Sequence, residues 1–504
     1  MKHLSAVLIC LVLGSVSTAK ELDQDDWFKS TAGGVTVYSN IDARTVRSYA
    51  AGLHALSQYA SVIPGITVAK LNRPLDLIYV DAKADMKKLG YTSLSIASWR
   101  SGFDRHVILA RNWPQYNETS YVLGRIAHVL VHNTPAYSDI RWVREGLATY
   151  LSGFSWSSER LLFGPSPRHI AGGSTDYRFR KPENILVESR YDELSRRDRW
   201  GFKPQAWLLV HYLLTTDPAG QSFTSVVQSF RKLVAEGKSE LYAFEAATGI
   251  DTDDLPDILR KYRMNCCSAF QVPFDQVFPD GWPKAEKVDE AEVALILARE
   301  AVRNDELDLA GTWLSMASEH EQFRTDAFLL LGDLNNKGGD QEASLRYIER
   351  AAENSPNDIR PKIRLGRHWL QLADDAENPG EQDEYLKLAK STLTDAWKLD
   401  KTNAEIYYLN GMRYLLEGAE IGLAISMLEE SAFLQPDNLQ VLELLGQAYL
   451  RSGDPAEARR IAKVIETVDG QSTSERLEEL VDETDPQEAE PEEPKRQPDR
   501  RTRF

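Results

Sequence analysis

The second half of the chain repeats a helical sequence pattern, and its period restricts the possible folds more than any other feature. Gly332, in LLLGDL, has a small residue 34 positions before it, Ala298 in LILAREA, and another 34 positions after it, Gly366 in IRLGRHW. Gly411 and Gly446 are 35 positions apart in a similar context. A second small residue follows about one helix later in each unit, at Ala310, Ser344, Ala389, Ala424 and Ala458. Small side chains at a fixed period allow helices to pack closely, so the pattern predicts a stack of helical pairs.

The ends of these units are typical of one repeat family. Pro356 in NSPND and Pro436 in QPDN each close a unit. A period of about 34 residues with two small positions and a closing proline resembles the tetratricopeptide repeat (TPR), over 290–470 and about five repeats. The polar segment 373–384 is predicted to be a loop inserted between the helices of the third unit. The resemblance implies an all-α right-handed solenoid whose concave face binds a protein or a peptide. The alternative is a helical bundle with coincidental spacing.

The preceding region, residues 20–270, alternates between strand and helix patterns. Three β-rich segments, 35–38, 75–80 and 106–110, are predicted to be strands. The predicted helices are 42–61 with Asp42 as N-cap, 84–89, 117–132, 142–151 and 203–216. We therefore expect an α+β domain in this region.

The N-terminus has the three parts of a secretory signal. Lys2 gives a positive start, residues 4–13 are an apolar run too short to span a bilayer, and residues 17–19 are small. We expect a signal peptide over 1–19, a mature chain that starts at Lys20, and a location in the periplasm or outside the cell. An uncleaved membrane anchor is the alternative. No later stretch is long and apolar enough for a transmembrane segment, so none is expected after cleavage.

The cysteines and the remaining segments complete the domain prediction. Cleavage of the signal removes Cys10 and leaves the adjacent Cys266 and Cys267. We interpret these as two thiols at a domain edge rather than as a strained vicinal disulfide. Residues 271–289, rich in Pro, Phe, Gly and Asp, are predicted to be a linker. Residues 471–504 change from acidic to basic and have few apolar side chains, so a disordered charged tail is predicted.

The charge balance excludes one class of partner. The chain has 59 Lys and Arg against 76 Asp and Glu, a net charge of −17. A nucleic-acid-binding surface must neutralise phosphates, so no nucleic-acid partner is expected.

Residues 117–154 contain a pattern of histidine and glutamate residues that indicates a candidate metal or catalytic site. A predicted helix with His128 and His132 is followed by a second helix that starts Trp-Val-Arg-Glu-Gly-Leu-Ala-Thr-Tyr and carries Glu145. Its string Glu-Gly-Leu-Ala-x-Tyr-Leu resembles the gluzincin metallopeptidases. In that family a His-Glu-x-x-His helix supplies two zinc ligands and the general base, and the Glu of the next helix is the third ligand. The resemblance implies a zincin-like fold.

Two alignments with that family motif are possible. In the first, His128 and His132 are the histidine pair, Glu145 is the third ligand and Val129 stands at the position of the general base. Valine cannot accept a proton. This alignment allows an alternative function, an active zinc peptidase that uses His128, His132 and Glu145 with a non-standard base.

In the second alignment, which we favour, Gly124 and Arg125 replace the first ligand and the general base, while His128 and Glu145 remain. The 17 positions from His128 to Glu145 suit the family better than the 13 from His132. Arginine stays protonated and repels a dication. Two ligands are too few for zinc, so we expect no cofactor in this alignment, and we expect Arg125 to pair with Glu145 instead.

The sequence thus predicts an exported TPR-containing pseudopeptidase that acts as a protein- or peptide-binding scaffold. Tyr150 and His211 are further cleft candidates, although a histidine on an apolar helix is usually a packed core residue. Another alternative is a pure TPR adaptor with an inert first domain.

Overall fold

The computed structural model describes residues 26–81, 89–91, 97–112, 118–165, 181–216, 220–266, 269–418 and 421–469. The predicted signal peptide, the charged tail, Cys267 and residues 84–88 of a predicted helix lie outside the described residues. The chain divides into two compact units, Met1–His368 and Trp369–Phe504, which are described separately. Within the described part of the chain, no helix is both long and apolar enough to cross a membrane.

A six-stranded mixed sheet organises the first unit. Its strands, in spatial order, are β4 (Ala97–Ser101), β5 (His106–Arg111), β3 (Leu75–Val80), β2 (Val35–Ser39), β1 (Phe28–Ala32) and β9 (Ala285–Lys287). The central strands β2, β3 and β5 are parallel, and β4, β1 and β9 pair antiparallel with their neighbours. The predicted strands 35–38, 75–80 and 106–110 are therefore confirmed as β2, β3 and β5. Strand β3 is buried along its whole length, as expected for a β-rich run between two covered faces.

One face of this sheet forms the larger hydrophobic core. Leu75, Leu77 and Tyr79 point to this face because side chains alternate along a strand. Helix α1 (Ala43–Tyr59) packs here and begins where Asp42 accepts a hydrogen bond from the Thr45 amide at 2.7 Å, so the predicted N-cap is confirmed.

Helices carry most of the remaining chain of the α+β region. They are α2 (Glu118–His132), α3 (Arg141–Ser152), α4 (Glu183–Leu186), α5 (Glu188–Asp192), α6 (Arg196–Thr216), α7 (Phe223–Ala235), α8 (Glu240–Thr248) and α9 (Leu255–Asn265). A second, three-stranded sheet contains β6 (Ser155–Trp156), β7 (Arg160–Phe163) and β8 (Phe270–Pro273). The helices predicted over 117–132 and 142–151 are confirmed as α2 and α3, and α6 includes the helix predicted over 203–216 but begins earlier.

The opposite face of the large sheet is covered by the first helical pairs. These pairs are α11 (Glu290–Arg303) with α12 (Leu307–Glu319), and α13 (Arg324–Lys337) with α14 (Gln341–Asn354). Ile78, Val80, Val107 and Leu109 share a buried cluster with side chains of α11, α12 and α13. The segment 271–289, predicted as a linker, contributes most of β8, the short helix α10 (Phe274–Val277) and β9.

Polar contacts also join this face to α11. The Lys29 ammonium lies 2.8 Å from a carboxylate oxygen of Glu292, and the other oxygen of Glu292 accepts a hydrogen bond from the Tyr38 hydroxyl at 3.2 Å. Asp76, which is buried on β3, lies 3.8 Å from the Arg299 guanidinium. The first repeats are therefore a structural part of the sheet domain.

The second unit continues the pattern of helical pairs. Helix α15 (Ile359–Asp375) crosses the boundary between the units, and α16 (Pro379–Leu399), α17 (Ala404–Leu416), α18 (Ile421–Leu434), α19 (Leu439–Ser452) and α20 (Pro455–Asp469) follow it.

The polar segment 373–384 is mostly helical, so the prediction of a loop there is wrong. Only residues 376–378 separate α15 from α16. Asn378 caps α16 by accepting a hydrogen bond from the Gly380 amide at 2.8 Å, and Pro379 occupies the first helical turn, where a proline is tolerated. A polar composition alone therefore did not distinguish a capped helix start from a loop.

The small residues of the repeat lie between paired helices, as predicted. A Cβ atom added at Gly332 would lie 2.8 Å from Ile348, and one at Gly411 would lie 2.6 Å from Leu428. The second small residue of each helical repeat is at most 1% exposed. These residues are Ala310, Ser344, Ala389, Ala424 and Ala458. The predicted close packing is therefore confirmed for the pairs α13–α14 and α17–α18.

We expect Gly411→Val to destabilise the second unit by about 1–3 kcal/mol, because the new side chain would overlap the buried Leu428. Gly422→Ala, on α18 with no atom within 4 Å of the added Cβ, is the matched control and should leave stability unchanged or raise it by up to about 1 kcal/mol. Urea denaturation followed by circular dichroism measures both changes. Equal midpoints for the two variants would show that close packing does not require Gly411.

The state of one cysteine differs from its interpretation as a thiol. Cys266, at the C-terminal end of α9, is disulfide-bonded. The other cysteines of the chain, Cys10 and Cys267, both lie outside the described residues.

Candidate functional site

The candidate site lies where α2, α3 and α6 meet. Gly146 allows α3 to approach α6 closely, because a Cβ atom here would lie 2.5 Å from the Ala206 carbonyl oxygen and 2.6 Å from a methyl carbon of Val210. Glu145 precedes this glycine on α3, and Lys203 lies about one turn before Ala206 on α6. The close approach of the two helices therefore brings Lys203 to Glu145.

Glu145 is the centre of a small charged cluster. One of its carboxylate oxygens, Oε2, lies 3.0 Å from the Lys203 ammonium and 3.8 Å from Nε2 of His128 on α2. Its other oxygen, Oε1, lies 3.8 Å from Nε of Arg144. The Glu145 side chain is 15% exposed and the Arg144 side chain only 3%, whereas that of Lys203 is 53% exposed. The carboxylate is therefore largely shielded from water and has a cation on two sides.

The pKa values follow from burial and from these neighbours. Burial lowers the pKa of His128 to about 4, and the cations Lys203, Arg144 and Arg125 act in the same direction, against the opposite effect of Glu145. Burial alone would raise the pKa of Glu145, but Lys203, His128 and Arg144 together lower it to about 2. Near neutral pH, His128 is thus neutral and Glu145 is ionised.

Arg125 does not pair with Glu145, so that prediction is wrong. Its side chain is exposed, its Nε donates a hydrogen bond to the Tyr121 hydroxyl at 3.2 Å, and its guanidinium lies 5.1 Å from the centre of the Tyr121 ring. Both residues are on α2, one turn apart. The cation nearest to Glu145 is Lys203, at 3.0 Å, and the sequence analysis did not predict it.

The other positions of the two alignments are also placed on α2. Gly124 has no atom within 4 Å of an added Cβ, and Val129 is buried. His132 is 7% exposed at the C-terminal end of the helix. Among the described residues, no three His, Cys, Asp or Glu side chains come close enough together to hold a metal ion. The structure therefore brings together His128 and Glu145, but no complete set of three ligands within its described part.

Tyr150 and His211, the further cleft candidates, lie in the core. They are 2% and 0% exposed, and their ring centres are 5.7 Å apart. Nδ1 of His211 shares a 2.6 Å hydrogen bond with the Tyr262 hydroxyl. Burial, with a smaller effect of Tyr262, raises the pKa of Tyr150 to about 12. His211 is eight residues, about 12 Å, along α6 from Lys203, so it is a hydrogen-bonded core residue away from Glu145.

This set of side chains does not fit a zinc ion. Structural and catalytic zinc sites have at least three protein ligands, and His128 and Glu145 supply two. The charged group nearest to the carboxylate is the Lys203 ammonium, which lies 3.0 Å from the same oxygen that faces His128. An ammonium has no lone pair to donate and repels a dication. Neither candidate for the general base can act as one, because Val129 cannot accept a proton and Arg125 carries a positive charge.

Three solved structures to which the chain is similar match 37–39% of its length. No protein-family model and no curated protein matches it. Among solved structures it is similar to TTC0263, a thermophilic TPR protein of Thermus thermophilus, with 21% identity over 38% of this chain and 98% of that one and a TM-score of 0.35. It is also similar to MamA from Desulfovibrio magneticus, with 20% identity over 37% of this chain and 98% of the MamA chain and a TM-score of 0.28. A third similar structure is that of PilW, a type IV pilus biogenesis factor. It is 17% identical over 39% of this chain and 86% of the PilW chain, with a TM-score of 0.31.

Proposed function

We propose that the protein is an exported, TPR-containing pseudopeptidase that acts as a protein- or peptide-binding scaffold. In this proposal the first domain is a degenerate gluzincin-like domain in which an ammonium replaces the metal ion. One observation carries the proposal: the Lys203 ammonium lies 3.0 Å from the carboxylate of Glu145, the residue that aligns with the third zinc ligand of the family.

Electrostatics supports this exchange of cations. A carboxylate that is 15% exposed needs a positive partner, because burying an unpaired charge is costly. In a zinc peptidase the metal supplies that charge. Here Lys203 and Arg144 supply it from the protein itself, so Glu145 stays ionised without a metal ion.

The helix that aligns with the histidine motif supports the same proposal. Gly124 and Arg125 stand where the family has its first ligand and its general base. A positioned general base contributes about two to four orders of magnitude to hydrolysis, and the zinc-bound water contributes the nucleophile. A domain that lacks the general base and the zinc-bound water keeps the helices of the site but cannot hydrolyse a peptide bond by the mechanism of the family.

A binding role is then assigned to the repeats. Repeat proteins built from stacked helical pairs use a concave surface for protein or peptide partners. The net charge of −17 is against a nucleic-acid partner. The signal-like N-terminus supports a role in the periplasm or outside the cell.

We expect no peptide hydrolysis by the purified mature protein. A mixture of quenched fluorescent peptides should give the same rate with the protein as with buffer, and neither added zinc nor EDTA should change that rate. His128→Ala should be indistinguishable from the wild type. Hydrolysis that EDTA abolishes and His128→Ala removes would contradict the proposal and support a zinc peptidase instead.

A further inference from the structure

An open cavity of about 690 Å³ lies between the first two helical pairs, within the first unit. It is lined by α12 and α14, the second helices of these pairs, and by α13. None of the side chains around Glu145 belongs to it. Its volume is in the range of sites that hold a small ligand or a few side chains of a peptide. We name it the α12–α14 cavity.

We propose that the α12–α14 cavity binds a peptide segment in which an apolar side chain lies between an acidic and a basic residue. This inference rests on the peptide-binding role that we propose for the repeats. Three features of the lining support it: an apolar base, two arginines with unused hydrogen-bond donors, and two carboxylates without a cation.

The base of the cavity is apolar and aromatic. Phe328 and Leu331 of α13 are 6% and 8% exposed, and the ring centre of Phe328 lies 6.1 Å from that of Tyr347 on α14. An apolar side chain of a ligand gains contacts with this surface and loses its own exposure to water. A phosphate ion or another wholly polar ligand would leave the same surface uncovered. The base of the cavity therefore favours a ligand with an apolar group.

Two arginines of the cavity are held in place and keep unused donors. The guanidinium carbon of Arg350 lies 4.3 Å from the ring centre of Phe328 and 5.8 Å from that of Tyr347. Nε of Arg324 donates a hydrogen bond to the Ser318 carbonyl oxygen at 3.2 Å. Neither arginine has an ion pair with another residue in the described part of the chain. The free edge of a guanidinium can bind a carboxylate through two parallel hydrogen bonds.

Two carboxylates line the same cavity. Glu319 on α12 and Glu353 on α14 are exposed, and neither side chain has an ion pair or a hydrogen bond with another described residue. Together with Arg324 and Arg350 they give the lining two positive and two negative groups, and thus no net formal charge. A polyanion or a polycation therefore gains no net attraction from the lining. A segment with one charge of each sign can place both charges beside an opposite one.

Fluorescence anisotropy of the full mature protein tests this inference. The mixed-charge probe is a fluorescein-labelled peptide of glutamate, phenylalanine and lysine, in this order, separated and flanked by glycine. Three matched probes have glutamate in place of the lysine, lysine in place of the glutamate, or alanine in place of the phenylalanine. We expect the mixed-charge probe to bind most tightly and each matched probe to bind about fivefold more weakly, because each lacks one of the three contacts.

Variants of α14 assign the binding to the cavity. Arg350→Gln and Glu353→Gln should each weaken binding of the mixed-charge probe about fivefold, and Arg350→Gln should leave the affinity for the probe without glutamate unchanged. Arg346→Gln is the matched control, because Arg346 is on the same helix, pairs with Glu342 at 2.6 Å and does not line the cavity. It should change the affinity less than about twofold. Circular dichroism should show that all three variants are folded, because these side chains are exposed.

The outcomes distinguish this inference from the proposed function. Equal losses in Arg350→Gln and Arg346→Gln, equal or tighter binding of the probe with two glutamates, or no binding of the mixed-charge probe would each overturn the peptide site in the cavity. If the protein is also free of zinc and hydrolyses no peptide, the proposed function stands while the inference fails. Stoichiometric zinc with hydrolysis that EDTA abolishes would overturn the proposed function and would not change the binding of the probe to the cavity.

Discussion

A protein truncated after residue 289 will not fold, although it contains the whole predicted α+β domain. Truncation there removes α11 to α13, which cover one face of the sheet, and exposes Ile78, Val80, Val107 and Leu109. Burial of an aliphatic side chain contributes about 1.5–3 kcal/mol, so four of them contribute on the order of 10 kcal/mol. This loss is comparable with the whole stability of a typical domain, about 5–15 kcal/mol. The contacts of Glu292 to the sheet are lost as well.

The matched control ends after residue 357, between α14 and α15, and keeps both helical pairs that belong to the first unit. We expect this longer protein to be soluble and to unfold cooperatively in urea, whereas the shorter one should be insoluble or lack a cooperative transition. Size-exclusion chromatography and circular dichroism measure the difference. A folded, monomeric protein that ends at residue 289 would show that the first repeats are dispensable for the sheet domain.

Gly146→Val should destabilise the first unit by about 3 kcal/mol or more. The added Cβ would lie 2.5 Å from the Ala206 carbonyl oxygen, a backbone atom of a helix that cannot move alone, and 2.6 Å from Val210. The helices α3 and α6 must then separate, which also moves Lys203 away from Glu145. The close approach of α3 and α6 thus explains why a glycine follows Glu145 in the motif.

Gly124→Ala is the control for Gly146→Val, since Gly124 is also a helical glycine of the motif but has no atom within 4 Å of an added Cβ. We expect it to raise stability by up to about 1 kcal/mol, because alanine favours a helix more than glycine does. Urea denaturation of both variants gives the comparison. If Gly146→Val unfolds at the wild-type midpoint, the helices do not depend on this contact.

Local patterns predicted much of the fold. The β-rich run 75–80 became the fully buried strand β3, and Asp42 caps α1 as predicted. Gly332 and Gly411 lie between paired helices, as the spacing of small residues within each repeat predicted. These features depend on neighbours in sequence, which a single sequence shows directly.

Contacts between distant segments were not predictable in the same way. The sequence predicted that residues 290–303 belong to a helical repeat, but not that this helix packs on Val80 and Leu109 of the sheet. A hydrophobic periodicity shows that a helix has a buried side and does not identify its neighbour. For this reason the segment 271–289, which has the composition of a linker, was not expected to contain β9 of the large sheet.

The candidate site shows the same limit. The sequence predicted that His128 lies near Glu145, and in the structure Nε2 of His128 is 3.8 Å from Oε2 of Glu145. It also suggested that Arg125 pairs with Glu145, but the direction of a side chain around a helix depends on exact register and packing. Lys203 is 58 positions from Glu145, and only the contact of α3 with α6 at Gly146 brings them together. A lysine at the start of a predicted helix gave no signal of this role.

The zinc content of the mature protein tests the central proposal most directly. The protein is purified without chelators, incubated with zinc, dialysed and measured by elemental analysis beside His128→Ala. We predict far less than one zinc per chain in both proteins, because Lys203 occupies the side of Glu145 where a metal would bind. About one zinc per wild-type chain, lost in His128→Ala, would contradict the proposal that an ammonium has replaced the metal ion.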